Sequence, residues 1–190
     1  EYFDESWNPD FVRNTLNSLF LSGTAALTTL IIGVTLAYSR RLHDTRGMRV
    51  MMRLSSLGYA MPGAVLAVGV IVPLAGFDNW VDGILRDSFG VSSGLLLSGS
   101  AFALVFAYTV RFLAVSAGSV ESALQKITPN MDMASRSLGH SPGNTLLKVH
   151  LPMLRGTLIT AALVVFVDCM KELPATLILR PFNFETLATY

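Results

Sequence analysis

Charge is scarce in this sequence. Only 14% of its 190 residues are Asp, Glu, Lys or Arg, against roughly a quarter in soluble domains. The formal balance is +1, so there is no basic excess of the kind that binds nucleic acid, and no nucleic-acid partner is expected. Cysteine is nearly absent. Cys169, alone inside an apolar run, excludes an intrachain disulfide and argues against a Cys-built metal site. No G-x-x-x-x-G-K-[ST] loop occurs, so this chain lacks the phosphate cradle which that motif supplies. No nucleophile–base arrangement stands out either. The expectation is a chain that is not an enzyme, with no catalytic residue, no metal ligands and no cofactor of its own. An initiating Met and a signal-peptide layout are also missing. Residues 1–10 are acidic and polar, which reads as an internal piece of a longer protein.

What is plentiful is apolar surface: 52% of residues are hydrophobic. Four apolar runs stand out, at about residues 14–38, 54–76, 95–118 and 156–179. At 1.5 Å per residue, a helix of about 20 residues crosses a ~30 Å hydrocarbon core. The runs predict an all-α polytopic membrane helical bundle, one domain over residues 1–190, bathed in membrane lipid. Trp7 and Phe11 suit an interfacial belt before the first run.

The connectors alternate in charge. Arg40, Arg41, Arg46, Arg49 and Arg53 follow the first run, offset only by Asp44. Asp78, Asp82 and Asp87 follow the second, with Arg86 alone opposing them. Residues 119–155 are basic again. By the excess of Lys and Arg on the cytoplasmic side, the N-terminus lies outside, the first and third connectors inside, and the end outside.

The third connector carries the clearest pattern. Ser141 before Pro142 is a good helix start, because the hydroxyl caps free N–H groups and Pro fits the first turn. Gly139 can take the left-handed backbone that ends the helix before it. Pro152 is expected to open the next span, giving a short bent helix pair at the bilayer surface. His140 and His150, ten residues apart, read as surface residues rather than metal ligands.

The fourth run holds Asp168, Lys171 and Glu172, then Pro174. Ionisable groups at membrane depth face a cavity or a partner. Spacings of three and four put all three on one broad face. Lys171 would neutralise Asp168, leaving Glu172 for Arg111 of the third run. Alternatively, Arg111 snorkels to the headgroups. Pro174 predicts a kink near Met170. Two readings stand for these charges, a staple that fixes helix register or a gate on a permeation route.

The connector resembles the cytoplasmic "EAA" loop of ABC importer permeases. The pattern reads Asp132-Met133-Ala134, then Gly139, then Val149-His150-Leu151-Pro152, with Met133 where the family has its middle Ala. Arg111-Phe112-Leu113-Ala114, the run from Lys171 to Pro181, and Phe184-Glu185-Thr186-Leu187-Ala188 are similar to the iron(III)-type permeases, a group close to the thiamine permeases. The resemblance runs from about Asn14 to Tyr190. It implies the transmembrane core of a type I ABC importer, with four of its usual five or so core helices present. It also implies a location in the bacterial inner membrane. Asp132, Ala134, Gly139, Ser141, Pro142, Leu151 and Pro152 would form the coupling loop on ABC ATPase subunits, which bind the ATP and Mg. Arg111, Asp168, Lys171, Glu172 and Pro174 would serve translocation or gating. Further implied partners are a periplasmic solute-binding protein and a second permease lobe or fused half. Iron(III) is the implied solute, with thiamine or another solute as the alternative. A secondary transporter or channel would instead use the charges of the fourth run as an ion relay, and a membrane scaffold would use the connector as a generic partner site.

Overall fold

In the computed structural model, residues 9–189 are described, so the interfacial role expected of Trp7 lies outside them. The described residues are helical or loop, with no strand. The helices are α1 (Pro9–Leu42), α2 (Arg46–Ala60), α3 (Gly63–Phe89), α4 (Ala101–Gln125), α5 (Pro129–Ser137), α6 (Pro142–Thr145), α7 (Leu151–Met170) and α8 (Pro174–Leu179). A π-helical turn, Leu146–His150, joins α6 to α7. Four helical stretches are long and apolar enough to cross a membrane: Pro9–Leu42, Gly63–Phe89, Ala101–Gln125 and Pro142–Met170.

The large apolar residues of α1, such as Leu16, Phe20, Leu27 and Ile31, are exposed, so a hydrophobic stripe does not choose its packing face. Size does. Ser18, Ser22, Ala25, Ala26, Thr29, Gly33 and Ala37 are its buried small residues, and they let α4 come close. At the crossing, a Cβ on Gly33 would run into the Ser116 hydroxyl and stand 3.0 Å from the Ala117 nitrogen. α4 is the central helix: α1, α2 and α7 all pack on it, and Ala103, Leu104, Ala107, Tyr108 and Phe112 form its buried face.

The second apolar run is not one helix over 54–76. It is broken at residues 61–62, and both parts extend beyond the run. Pro62 lacks an N–H and disfavours helical backbone at the residue before it, and Met61 is extended (φ −83°, ψ 138°). Most of the first basic connector is therefore helical, capped by Thr45, whose hydroxyl accepts from Met48 N at 3.3 Å. Pro73, another candidate breaker, lies inside α3. α3 also takes in most of the expected outer loop. It ends at Gly90 with φ +65°. Asp78 then draws the chain back. Its carboxylate accepts from Ser98 N (2.8 Å), Ser98 Oγ (2.6 Å) and Leu97 N (3.0 Å), which fixes the lead into α4.

The last apolar run is likewise two helices. α7 stops at Met170, and Pro174 opens α8. The pyrrolidine ring cannot continue a helix whose preceding turn needs its N–H, so the expected kink is a complete break. After α8 the chain folds across the start of α1. Asn17 Nδ2 donates to the Glu185 carbonyl at 2.9 Å, and Leu187 N donates to Ser18 Oγ at 2.8 Å.

Candidate functional site

Two polar centres stand out. The first is the connector between α4 and α7, at the end of the bundle that carries Arg40 and Arg41. Gly139 has φ +78°, a backbone that L residues adopt at a cost, and it turns the chain between α5 and α6. Ser141 Oγ accepts from Asn144 N at 3.4 Å, and Pro142 occupies the first turn. The cap and the corner are those read from the sequence. Pro152 does stand in the first turn of α7, as expected of the opening of the fourth span, but the helical stretch does not begin there. The helix is already under way at Pro142, and Pro142–Met170 runs on as one stretch. Pro152 lies two residues past the π turn, in which Leu151 N donates to the Leu146 carbonyl five residues back. The missing N–H of Pro152 explains a widened turn just before it, since the usual bond to residue 148 cannot form.

Asp132, in the first turn of α5, is turned inward. Its Oδ2 accepts from Arg41 Nη2 at 2.7 Å and Nε at 3.0 Å. Its Oδ1 accepts from His150 Nε2 at 2.7 Å. An ionised carboxylate only accepts, so the proton of that bond sits on Nε2. Burial raises the Asp132 carboxyl, but the bonds from Arg41 and His150 outweigh it and hold it below the usual carboxylate range. His150 is 0% exposed. The expectation of a surface histidine is thus overturned: the carboxylate and the Tyr38 ring, 5.5 Å between centroids, enclose it. Tyr38 O–H donates to the Pro142 carbonyl at 2.7 Å, and the Ser135 and Thr145 hydroxyls meet at 2.8 Å. While Asp132, Ser135, Thr145 and His150 turn inward, the connector presents Met133, Leu138 and Leu147 outward, each more than half exposed, beside the exposed Arg136, Ser137 and Lys148. Ala134 and Pro142 are exposed beside them, while Leu151 is half-buried and Pro152 exposed.

The second centre lies where the two helix breaks meet α4. Arg111, in mid-helix, does not reach for the headgroups. Its Nη1 donates to the Met61 carbonyl at 2.6 Å, one of the acceptors that the break frees. Its Nε stands 3.3 Å from Glu172 Oε2. Lys171 Nζ lies 2.9 Å from Asp168 Oδ1. Both pairings are those expected from the sequence, Asp168–Lys171 at its three-residue spacing and Arg111–Glu172 across the bundle, but the two pairs differ in kind. Glu172 is 8% exposed, whereas the Lys171 side chain is 69% exposed. Glu172 Oε1 has no hydrogen-bond partner among the described residues. A Cβ on Gly63 would overlap that oxygen and stand 3.3 Å from Cδ, so glycine there is a condition for the carboxylate's position. Tyr108 and Thr176 hydroxyls meet at 2.5 Å one turn away. Tyr59, Phe112 and the four charged residues line a cavity of about 330 Å³. No group of three or more His, Cys, Asp or Glu able to hold a metal ion is found among the described residues.

Sequence reasoning missed Arg41, Tyr38, Gly58 and Gly63. A Cβ on Gly58 would run into the Val110 carbonyl oxygen and stand 2.9 Å from its carbon, which marks a close approach of α2 to α4. A glycine among larger residues in an apolar run was the available signal.

Residues 29–183 match the model of a family described as binding-protein-dependent transport system inner membrane component. The chain is similar to the Fe(3+)-transport system permease protein FbpB 2 of Haemophilus influenzae, with 24% identity over 94% of this chain and 32% of that protein. It is similar to the ferric transport system permease protein FbpB of Actinobacillus pleuropneumoniae, with 29% identity over 94% of this chain and 26% of that protein. It is also similar to the spermidine/putrescine transport system permease protein PotC homolog of Mycoplasma genitalium, with 23% identity over 95% of this chain and 58% of that protein. The chain thus spans about a third or less of the two ferric-transport relatives.

Proposed function

This chain belongs to the binding-protein-dependent transport system inner membrane components, the permeases of ABC importers, and from that premise we propose that residues 129–150 are its dock for an ATPase subunit. It is a multi-pass inner-membrane protein. The observation that carries the reading is the connector's division of faces: Asp132 and His150 are bonded inward, and Met133, Leu138 and Leu147 are offered outward among the exposed polar residues Arg136, Ser137 and Lys148. Such a rigid, partly apolar knob suits a groove on a partner protein.

In this reading ATP and Mg are handled by separate ATPase subunits, and this chain contributes motion. The stretch Pro142–Met170 has 29 residues, a rod of about 44 Å at 1.5 Å per residue. One end carries the dock, and the other stops beside Glu172. Moving the dock tilts the rod and shifts Glu172 against Arg111 and the 61–62 break. The Arg111–Glu172 pair is then a latch between α4 and the two helix breaks, and the cavity beside it is part of the route. The Asp168–Lys171 pair, whose lysine is exposed, plays the smaller part. The ATPase drives the change only by binding the two states unequally.

We assign iron(III), delivered by a periplasmic binding protein, as the solute. Relatives named for ferric transport support this. Relatives named for spermidine/putrescine and for 2-aminoethylphosphonate transport support another small solute on the same scaffold. A second permease lobe, separate or fused, completes the pore, and residues 1–190 form part of one lobe. The test is reconstitution of the full permease with its ATPase in liposomes. ATP turnover should rise when the binding protein is added with iron(III), and iron should accumulate inside. Stimulation by a polyamine- or phosphonate-loaded binding protein alone would reassign the solute. Uptake without any ATPase would overturn the reading in favour of a secondary transporter.

A further inference from the structure

We propose that Arg41 is a positioning residue that pins the dock to the end of α1, so that α1 and α5 move as one body. The proposal rests on the reading of residues 129–150 as the ATPase dock.

A guanidinium offers five N–H donors in a rigid fork, and Arg41 uses that fork on three elements at once. Nη1 donates to the Leu124 carbonyl and Nη2 to the Ile127 carbonyl at 2.9 Å. These acceptors lie at the end of α4 and just beyond it, and the Leu124 carbonyl, which also takes Ile127 N at 3.1 Å, is shared between the helix end and the guanidinium. Nη2 and Nε also donate to Asp132 Oδ2 on α5. The other oxygen of that carboxylate takes His150 Nε2 from the π turn. One guanidinium–carboxylate pair therefore ties α1, α4, α5 and the start of α7 together. The side chains of Arg41 and Asp132 are 15% and 21% exposed, so the pair is partly shielded from screening by salt. The cation lies in the last turn of α1 and the acid in the first turn of α5, each at the helix end its charge favours.

A second strap runs parallel. Tyr38, one turn before Arg41, holds the Pro142 carbonyl. Sliding the dock along α1 would break both straps at once. Two consequences follow. Asp132 serves the inside of the chain and is not offered to the ATPase. The motor's movement reaches the bundle through α1 as well as through α7.

The test uses the complete transporter with its ATPase and binding protein in liposomes. Spin labels at His43→Cys and Ser137→Cys, both exposed positions, report the distance from α1 to α5. The native Cys169 is buried. Between the nucleotide-free and the ATP-trapped states that distance should change by less than about 2 Å, the size of an ordinary helix shift. A change of about one helical turn, ~5 Å, would overturn the pin. Arg41→Gln should lower the solute moved per ATP about fivefold or more, with Arg41→Lys between it and the wild type, since one ammonium cannot reproduce the fork. Asp132→Asn should do the same, and the double variant should be no worse than the more severe single. Fully additive losses would show that the two residues do not act together. A Leu138→Cys cross-link to the ATPase separates the premises. If no cross-link forms, the dock reading fails and the pin with it. A cross-link together with a moving label pair overturns the pin alone.

Discussion

Gly139→Val tests whether the corner of the dock is set by backbone conformation or by space. A Cβ at Gly139 meets nothing within 4 Å, so packing contributes no penalty. The φ of +78° does. An L residue in left-handed backbone loses roughly 1–2 kcal/mol, and a β-branched one is the least suited to it. That amount is small against the 5–15 kcal/mol that holds a typical domain together, so the variant should insert and assemble. The corner relieves its strain by relaxing, and the α5–α6 angle relaxes with it. If ATPase docking needs the strained angle, about 1–2 kcal/mol becomes a roughly 5–30-fold loss in the population of the docked form. The assay is solute moved per ATP hydrolysed in liposomes. Gly139→Val should fall by that factor, and Gly139→Asn, whose residue tolerates left-handed backbone, should stay near wild type. Equal losses for Val and Asn would refute the conformational argument and point to side-chain bulk at the docking surface. Normal transport by the Val variant would remove the corner from the mechanism.

Three further outcomes are expected. Gly63→Ala should lower stability in detergent by about 1–3 kcal/mol, the cost of overpacking, because its Cβ displaces the Glu172 carboxylate. Gly69→Ala, with nothing within 4 Å, should leave the unfolding midpoint unchanged, and a matched loss at both sites would contradict the packing argument. Glu172→Gln should impair transport strongly, while Lys171→Gln and Lys126→Gln should not, since an exposed pair is worth about 0–1 kcal/mol. Equal effects of the Glu172 and Lys171 variants on uptake would remove the distinction between the two pairs. Finally, the Asp132 carboxyl is held below its ordinary value, so its stabilisation is complete above about pH 3.9. It fades only as pH falls through the lower folded value. Hydrogen exchange over residues 129–150 should therefore show no Asp132-dependent loosening between pH 7 and 5. A loosening within that range that Asp132→Asn abolishes would contradict the reading.

The sequence carried whatever was local. Four apolar runs, the Ser141-Pro142 start, the left-handed Gly139 and the kink expected at Pro174, which proved a full break, each depend on neighbours within a turn or two. They reappear as α1, α3, α4 and α7, the cap, the corner and the α7–α8 break. Helix ends were less legible. The 54–76 run hid a break at residues 61–62, because Pro62 and Pro73 look alike in sequence, yet only Pro62 ends a helix. Pairings across the bundle were the hardest. Arg111 and Glu172 could be matched because few charges lie in apolar runs. Arg41 could not be distinguished from four other arginines in its connector, and its partner lies 91 residues away. His150 looked like a surface residue because its burial depends on Asp132 and Tyr38, which the fold brings to it from other elements.

In the proposed mechanism, a motor on the cytoplasmic side grips the connector between α4 and α7. The most direct measurement places a cysteine at Gly143, exposed within α6, in the full-length permease. It is probed with a membrane-impermeant maleimide in inside-out and right-side-out vesicles, with and without the ATPase. The account predicts labelling from the cytoplasmic face only, with protection when the ATPase is bound. Labelling from the periplasmic face, or no protection by the ATPase, would contradict it.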